Sequence, residues 1–271
     1  MRLAIRHTTR YLYSQPVAHG LQRLRLRPKP THGQQVLDWS MVLEGARVES
    51  EYDDHNHNHT ALVSIEPGAS VLSITCAGLV ETVDRAGVLG PHTGHVPLWL
   101  FQQQTALTRP GARMRALAGS LQGGKADRLA MLHELSGAVL QAVRYEIGHT
   151  DVTTSAEEAF SAGRGVCQDH AHIFIGCARA LGVPARYVSG YLMMDDRIDQ
   201  EAGHGWAEAH VDGLGWVGFD VSNGISPDAR YVRVASGCDY REAAPITGIS
   251  FGAGEAALAV SLAVEQQIAE Q

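Results

Sequence analysis

A cysteine, a histidine and an aspartate stand apart in this chain because of what surrounds them. Cys167 sits in Gly163-Arg164-Gly165-Val166-Cys167-Gln168-Asp169-His170-Ala171-His172, where a glycine-bearing loop runs into an apolar helical stretch. The first backbone N–H groups of a helix lack internal partners, and the helix dipole favours negative charge there. A thiol held at that point is drawn toward thiolate, the form that attacks carbonyl carbon. His204 and Asp220 follow in strand-like surroundings. An imidazole to take or give the thiol proton, with a carboxylate to fix its tautomer, completes a Cys-His-Asp nucleophilic triad. The N–H of Cys167 and its neighbours can stabilise an oxyanion, and Tyr145, at the end of the preceding helix, is a candidate second donor.

The elements that must position these groups are legible nearby. Leu129, Leu132, Ser136, Val139 and Val143 recur at helical spacing and predict an amphipathic helix ending near Arg144. Ser155 with Glu158 three residues later reads as a capping box for a short helix to Phe160. The cysteine helix runs to Leu181, with Gly182 and Pro184 as stop signals. Strands are expected over 185–191, 205–211, 216–221, 231–234 and 258–264. Alternation puts His204, Trp206, Glu208 and His210 on one face and Ala207, Ala209 and Val211 on the core face. The turn Asp212-Gly213-Leu214-Gly215 predicts a hairpin. If His210 pairs with Trp216, Asp220 falls opposite Trp206 and diagonal to His204, and a one-residue slip would throw it to the far side. Trp206 and Trp216 either floor a substrate groove or cover the sheet, and Glu208 is expected to be solvated.

Residues 1 to about 90 alternate in short runs, such as Leu37, Trp39, Met41 and Leu43, broken by turn residues. This predicts a β-sandwich-like N-terminal domain. Residues 87–110, rich in Gly, Pro and His, read as a connection. The expected division is therefore 1–110 for the β domain and connection and 111–271 for an α+β catalytic domain, with the last strand free to pack back on the first domain. Arg23, Arg25, Arg27 and Lys29, spaced by two, read as the wet face of a strand.

Composition narrows the function classes. The chain has 271 residues, 45% hydrophobic and 19% charged, which fits a globular protein. Its formal net charge of -7 argues against broad nucleic-acid or anionic-membrane binding. Four scattered cysteines without a CxxC pair, no signal-like N-terminus and no span-length apolar run make the cytoplasm the expected compartment. Cys76 and Cys177 are expected to be inert core thiols. His170 and His172 lie on different helix faces, so packing is expected of them rather than metal binding. The run His55-Asn56-His57-Asn58-His59 is expected to be a solvated loop. No metal and no cofactor is expected; the oligomeric state is left open.

The stretches GRGVCQDHAHIFIGCARALGVPARYVSGYL and HGWAEAHVDGLGWVGFDVSNG closely resemble the bacterial branch of the transglutaminase-like superfamily. An opening with Tyr11-Leu12-Tyr13, Pro16-Val17 and Leu24-Arg25-Leu26-Arg27-Pro28 resembles that branch's N-terminal β domain, and Gly237-Cys238-Asp239-Tyr240 extends the likeness toward the end. The resemblance implies a papain-like core, with the nucleophile at Cys167, the base at His204 and the orienting acid at Asp220. It implies acyl transfer on a peptide or protein substrate through an acyl-thioester, with a protease or amidase as the leading reading. Transglutaminase or peptide-ligase activity with an amine acceptor is the alternative, and a non-catalytic peptide-binding module is the rival of another class. Three positions depart from the family pattern: His170 replaces an aromatic residue, Cys238 an arginine, and Asp54-His55-Asn56-His57-Asn58 lacks the glycine of an Asp-x-x-Gly-Asn turn.

Overall fold

A computed structural model describes residues 1–121 and 127–267. Seven strands come first: β1 (Arg2–Tyr13), β2 (His19–Leu24), β3 (Gln34–Glu44), β4 (Ala46–Asp53), β5 (His59–Ile65), β6 (Val71–Thr82) and β7 (Val88–Gly90). Four helices and two short strands follow: α1 (Ala112–Leu121), α2 (Arg128–Ala142), β8 (Arg144–Tyr145), α3 (Ala156–Ala162), β9 (Arg164–Gly165) and α4 (Cys167–Ala180). The chain then passes through β10 (Ala185–Leu192), β11 (Asp199–Gln200), β12 (His204–Val211), β13 (Gly215–Phe219), β14 (Tyr231–Gly237), α5 (Tyr240–Ala243), β15 (Ile246–Phe251) and β16 (Ala256–Gln266).

Strands β1 to β6, joined by the later β11, β15 and β16, build two sheets, ordered β11-β16-β1-β6-β3 and β15-β2-β5-β4. Their inward residues, among them Leu24, Val63, Leu72 and Ile74, form one apolar cluster, as facing sheets with period-2 patterning must. The last strand closes this unit: β16 pairs antiparallel with β1 from Leu3↔Gln266 to Tyr13↔Ala256.

The third sheet, β14-β10-β12-β13-β7, carries α4 on one face. Ala207, Ala209, Val217 and Phe219 point into that contact, and Phe174 of α4 stacks on Phe219 with ring centroids 4.9 Å apart. Burying one such side chain is worth about 1.5–3 kcal/mol relative to exposing it. Helices α1, α2 and α3 surround α4, so the helix is buried along nearly its whole length. The capping box at Ser155 and Glu158 is formed, and Gly163, in the left-handed region at φ 67°, ends α3.

The 87–110 stretch is more than a connection. Its β7 adds an edge strand to the sheet beside β13, and a 3₁₀ turn over Leu98–Gln102 buries Phe101 against Trp216. The expected strand over 216–221 ends at Phe219, and Asp220 instead forms an isolated bridge with Ile225.

Candidate active site

Cys167 opens α4 after an extended Val166, and its side chain is partly exposed. The helix start is held by Asp169, whose Oδ2 accepts the Val166 N–H at 2.8 Å and the Thr150 hydroxyl at 2.7 Å. Burial raises the Asp169 pKa, although those donors oppose the shift. Gly165 is required here, because a Cβ would lie 2.6 Å from Asp169 Oδ2. His170 packs locally, as expected: its ring nitrogens lie 2.9 Å from Val166 O and 3.0 Å from Val143 O, tying α4 to the end of α2. His172 also packs locally. Its Nε2 accepts the Tyr240 N–H, and burial lowers its pKa to about 4.

His204, the first residue of β12, meets Asp220, one residue past the end of β13. The register His210↔Trp216 continues to Ala207↔Phe219, and Asp220 follows one step later. His204 Nε2 lies 2.6 Å from Asp220 Oδ2. Nε2 is thereby occupied, which leaves Nδ1 as the ring nitrogen for Cys167. Burial by itself lowers the His204 pKa, but hydrogen bonds to Asp220 and Cys167, with the negative charge on both, outweigh it and raise it to about 10. Burial would conversely raise the Asp220 pKa, yet His204, Tyr231 and Asn223 hold it far below the carboxylate range. Tyr231 donates its hydroxyl to Oδ2 at 2.7 Å, and Asn223 Nδ2 donates at 2.7 Å.

Trp206 is buried beneath the imidazole, ring centroids 6.2 Å apart and 26° from parallel. Its ring also meets the Tyr231 ring edge-on, with centroids 5.5 Å apart. Trp216 is buried at the other end of the hairpin against Phe101. Tyr145 stacks on His170 beside β9, and the Cys167 charge contributes, after burial, to its raised pKa. Tyr187 and Tyr240 respond to Cys167 in the same way. Tyr187 also explains Gly205, since a Cβ there would collide with its hydroxyl. The sequence reading missed Tyr187, Tyr231 and Asn223; only Asn223, three residues after Asp220, lay close enough to suggest a local contact.

Three expectations are corrected. Glu208 is fully buried rather than solvated: Arg233 donates to it at 2.8 and 3.1 Å and Arg186 at 2.6 Å. Burial would raise its pKa, and the two guanidiniums lower it instead. The basic run is likewise not one wet face, because β2 ends at Leu24 and the chain beyond it turns inward. Arg25 is buried against Asp54 at 3.0 Å, and buried Lys29 donates to Asn56 O, Asn58 Oδ1 and Ser236 Oγ. The histidine run is solvated only in part. His55 and His57 are exposed, but Asn58 is buried and exchanges two hydrogen bonds with the Ser236 backbone. Among the described residues no group of three or more metal-ligating side chains comes together, and no helix is long and apolar enough to cross a membrane.

A cysteine at a buried helix mouth, facing a histidine–aspartate pair on an antiparallel sheet, defines a papain-type α+β core. Residues 115–221 match the transglutaminase-like superfamily and residues 3–81 the bacterial transglutaminase-like N-terminal region. The chain belongs to the transglutaminase-like superfamily and carries that bacterial N-terminal region. It is similar to an uncharacterized protein of Mycobacterium leprae, 29% identical over 93% of this chain and 94% of the relative. An uncharacterized protein of Mycobacterium tuberculosis strain H37Rv is 27% identical over 92% of this chain and 88% of its own length. The fold is shared with a Cytophaga hutchinsonii protein whose crystal structure bears the description "putative cysteine protease", at TM-score 0.77 and 22% identity, covering 99% of this chain and 92% of that one.

Proposed function

We propose that the protein is a cysteine hydrolase acting on peptide or amide carbonyls, with Cys167 as nucleophile, His204 as acid–base and Asp220 as its orienting partner. The observation that carries this reading is the 2.6 Å contact between His204 and Asp220, which leaves the other ring nitrogen for Cys167. The Cys167 sulfur attacks the carbonyl carbon and the oxygen takes the negative charge, beside backbone N–H groups of the first helical turn. Tyr145 is the second donor we assign to that oxyanion. The C–N bond then breaks, His204 gives its proton to the departing amine, and an acyl-thioester remains. Water attacks the thioester, His204 takes its proton, and the carbon–sulfur bond breaks to release the acid and restore Cys167. Hydrolysis is the outcome we adopt because water is the acceptor that needs no site of its own. An amine bound beside the thioester would give transamidation through the same groups.

The test is incubation of wild type and Cys167→Ala with a peptide library, with and without a primary amine, read by mass spectrometry. Cleavage or deamidation by wild type alone is expected. Incorporation of the amine in preference to water would replace hydrolysis by transamidation. No change above the Cys167→Ala background in any channel would leave the peptide-binding module as the better reading.

A further inference from the structure

Behind the catalytic sheet, between the segment around Lys29 and the stretch around Arg85 to Val96, lies a cavity of about 750 Å³. Lys29, Arg85, Arg186 and Arg233 line it together with four histidines. No aspartate or glutamate is among its described lining residues, in a chain whose net charge is -7.

The charge balance of its wall is incomplete. Arg186 and Arg233 share one carboxylate, Glu208. Lys29 donates to three neutral oxygens, and the nearby Asp54 has its own partner in Arg25. Two guanidiniums and the buried Lys29 amine, whose pKa burial and the two arginines lower, therefore face one direct counter-ion among the described residues. The Arg186 guanidinium is pressed on the Trp216 ring, 3.8 Å from its centroid, and its only hydrogen bond among the described residues leaves from Nε. Its two terminal nitrogens have no protein acceptor among the described residues. Unbalanced charge away from bulk water is costly, whereas arginine forks bind carboxylate and phosphate oxygens in pairs.

We propose that this cavity is a binding site for a small oxyanion with at least two negative charges, a phosphate ester or a polycarboxylate, separate from the cysteine centre. Its volume falls in the range of roughly 300–1,000 Å³ usual for small-molecule sites. Trp216 lies four residues along the chain from Asp220, roughly 13 Å at about 3.3 Å per residue. Strand alternation puts Arg186 and Glu208 on the sheet face away from α4, the face His204 and Trp206 also take, so the separation from the cysteine centre runs along the strands. The inference does not depend on the catalytic proposal.

Isothermal titration of the full chain with inorganic pyrophosphate, and separately with citrate, at fixed ionic strength tests it. Saturable one-site binding of either probe is expected; stronger binding of pyrophosphate assigns a phosphate ester, and stronger binding of citrate a polycarboxylate. Arg186→Gln should weaken binding by about tenfold or more, while Cys167→Ala should leave it unchanged. Arg85→Glu, on the exposed rim, gives the same readout if loss of Arg186 unfolds the protein. Failure of both probes to bind saturably, or binding that is indifferent to Arg85→Glu, overturns the assignment.

Discussion

His210 pairs with Trp216 across the hairpin turn, and this register places the Asp220 carboxylate 2.6 Å from the His204 ring. Side chains alternate faces along a strand, so a slip of one residue would have turned Asp220 away. Three further donors, Ser222, Asn223 and Tyr231, then fix the carboxylate.

Replacing that carboxylate tests the pair. Asp220→Asn should lower activity by roughly 10²-fold or more and lower the His204 pKa, followed by imidazole NMR against pH. The stability consequence has a definite sign. The His204 pKa is raised to about 10, so its contribution is full below the ordinary histidine value of about 6.5 and is lost as pH climbs through the raised value. The Asp220 pKa is lowered, so its contribution holds above about 3.9 and is lost as pH falls toward the depressed value. The melting temperature of wild type should therefore drop between neutral pH and about pH 10 more than that of Asp220→Asn.

The cysteines should differ sharply in reactivity. Burial pushes the thiols of Cys76, Cys177 and Cys238 up to about 12, with Glu157 adding to the rise at Cys177 and Glu242 at Cys238. Cys167 is the partly exposed one. Native protein treated briefly with iodoacetamide at neutral pH should gain a single adduct, at Cys167, by intact-mass and peptide analysis. Denatured protein should gain four, one per cysteine of the sequence. Comparable native labelling at any second cysteine contradicts this expectation.

Among the described residues Glu208 is the one direct counter-ion of two guanidiniums, and its removal leaves both in a desolvated wall. Glu208→Ala should cost roughly 3–5 kcal/mol in chemical denaturation. Pyrophosphate should recover part of that loss. A loss below about 1 kcal/mol would mean that the pair is solvated.

His57 occupies the left-handed region at φ 56°, at the position where the family's turn has glycine. Its backbone N–H donates to Asp54 O, so the turn is closed around it. Removing the Cβ there relieves roughly 1–2 kcal/mol, and the extra freedom of glycine in the unfolded chain offsets part of it. His57→Gly should stabilise the protein by about 0.5–1 kcal/mol, read as a higher melting temperature.

Local signals carried much of this protein into the sequence. The stop at Gly182 and Pro184 bounded α4, the Ser155–Glu158 pair announced α3, and alternation around one turn defined the β12–β13 hairpin with its register. Each lies within a few residues of what it governs, because capping, helix termination and hairpin closure are short-range. The positions of Cys167, His204 and Asp220 followed from them. The tertiary structure alone decided the rest: Glu208 as a buried counter-ion, Lys29 against Ser236 207 residues away, and β7 on β13. Alternation states which face a side chain takes, but not what will arrive to cover it. Whether a charged group stays in water depends on partners brought from remote parts of the chain, and those meet only once the sheets have closed.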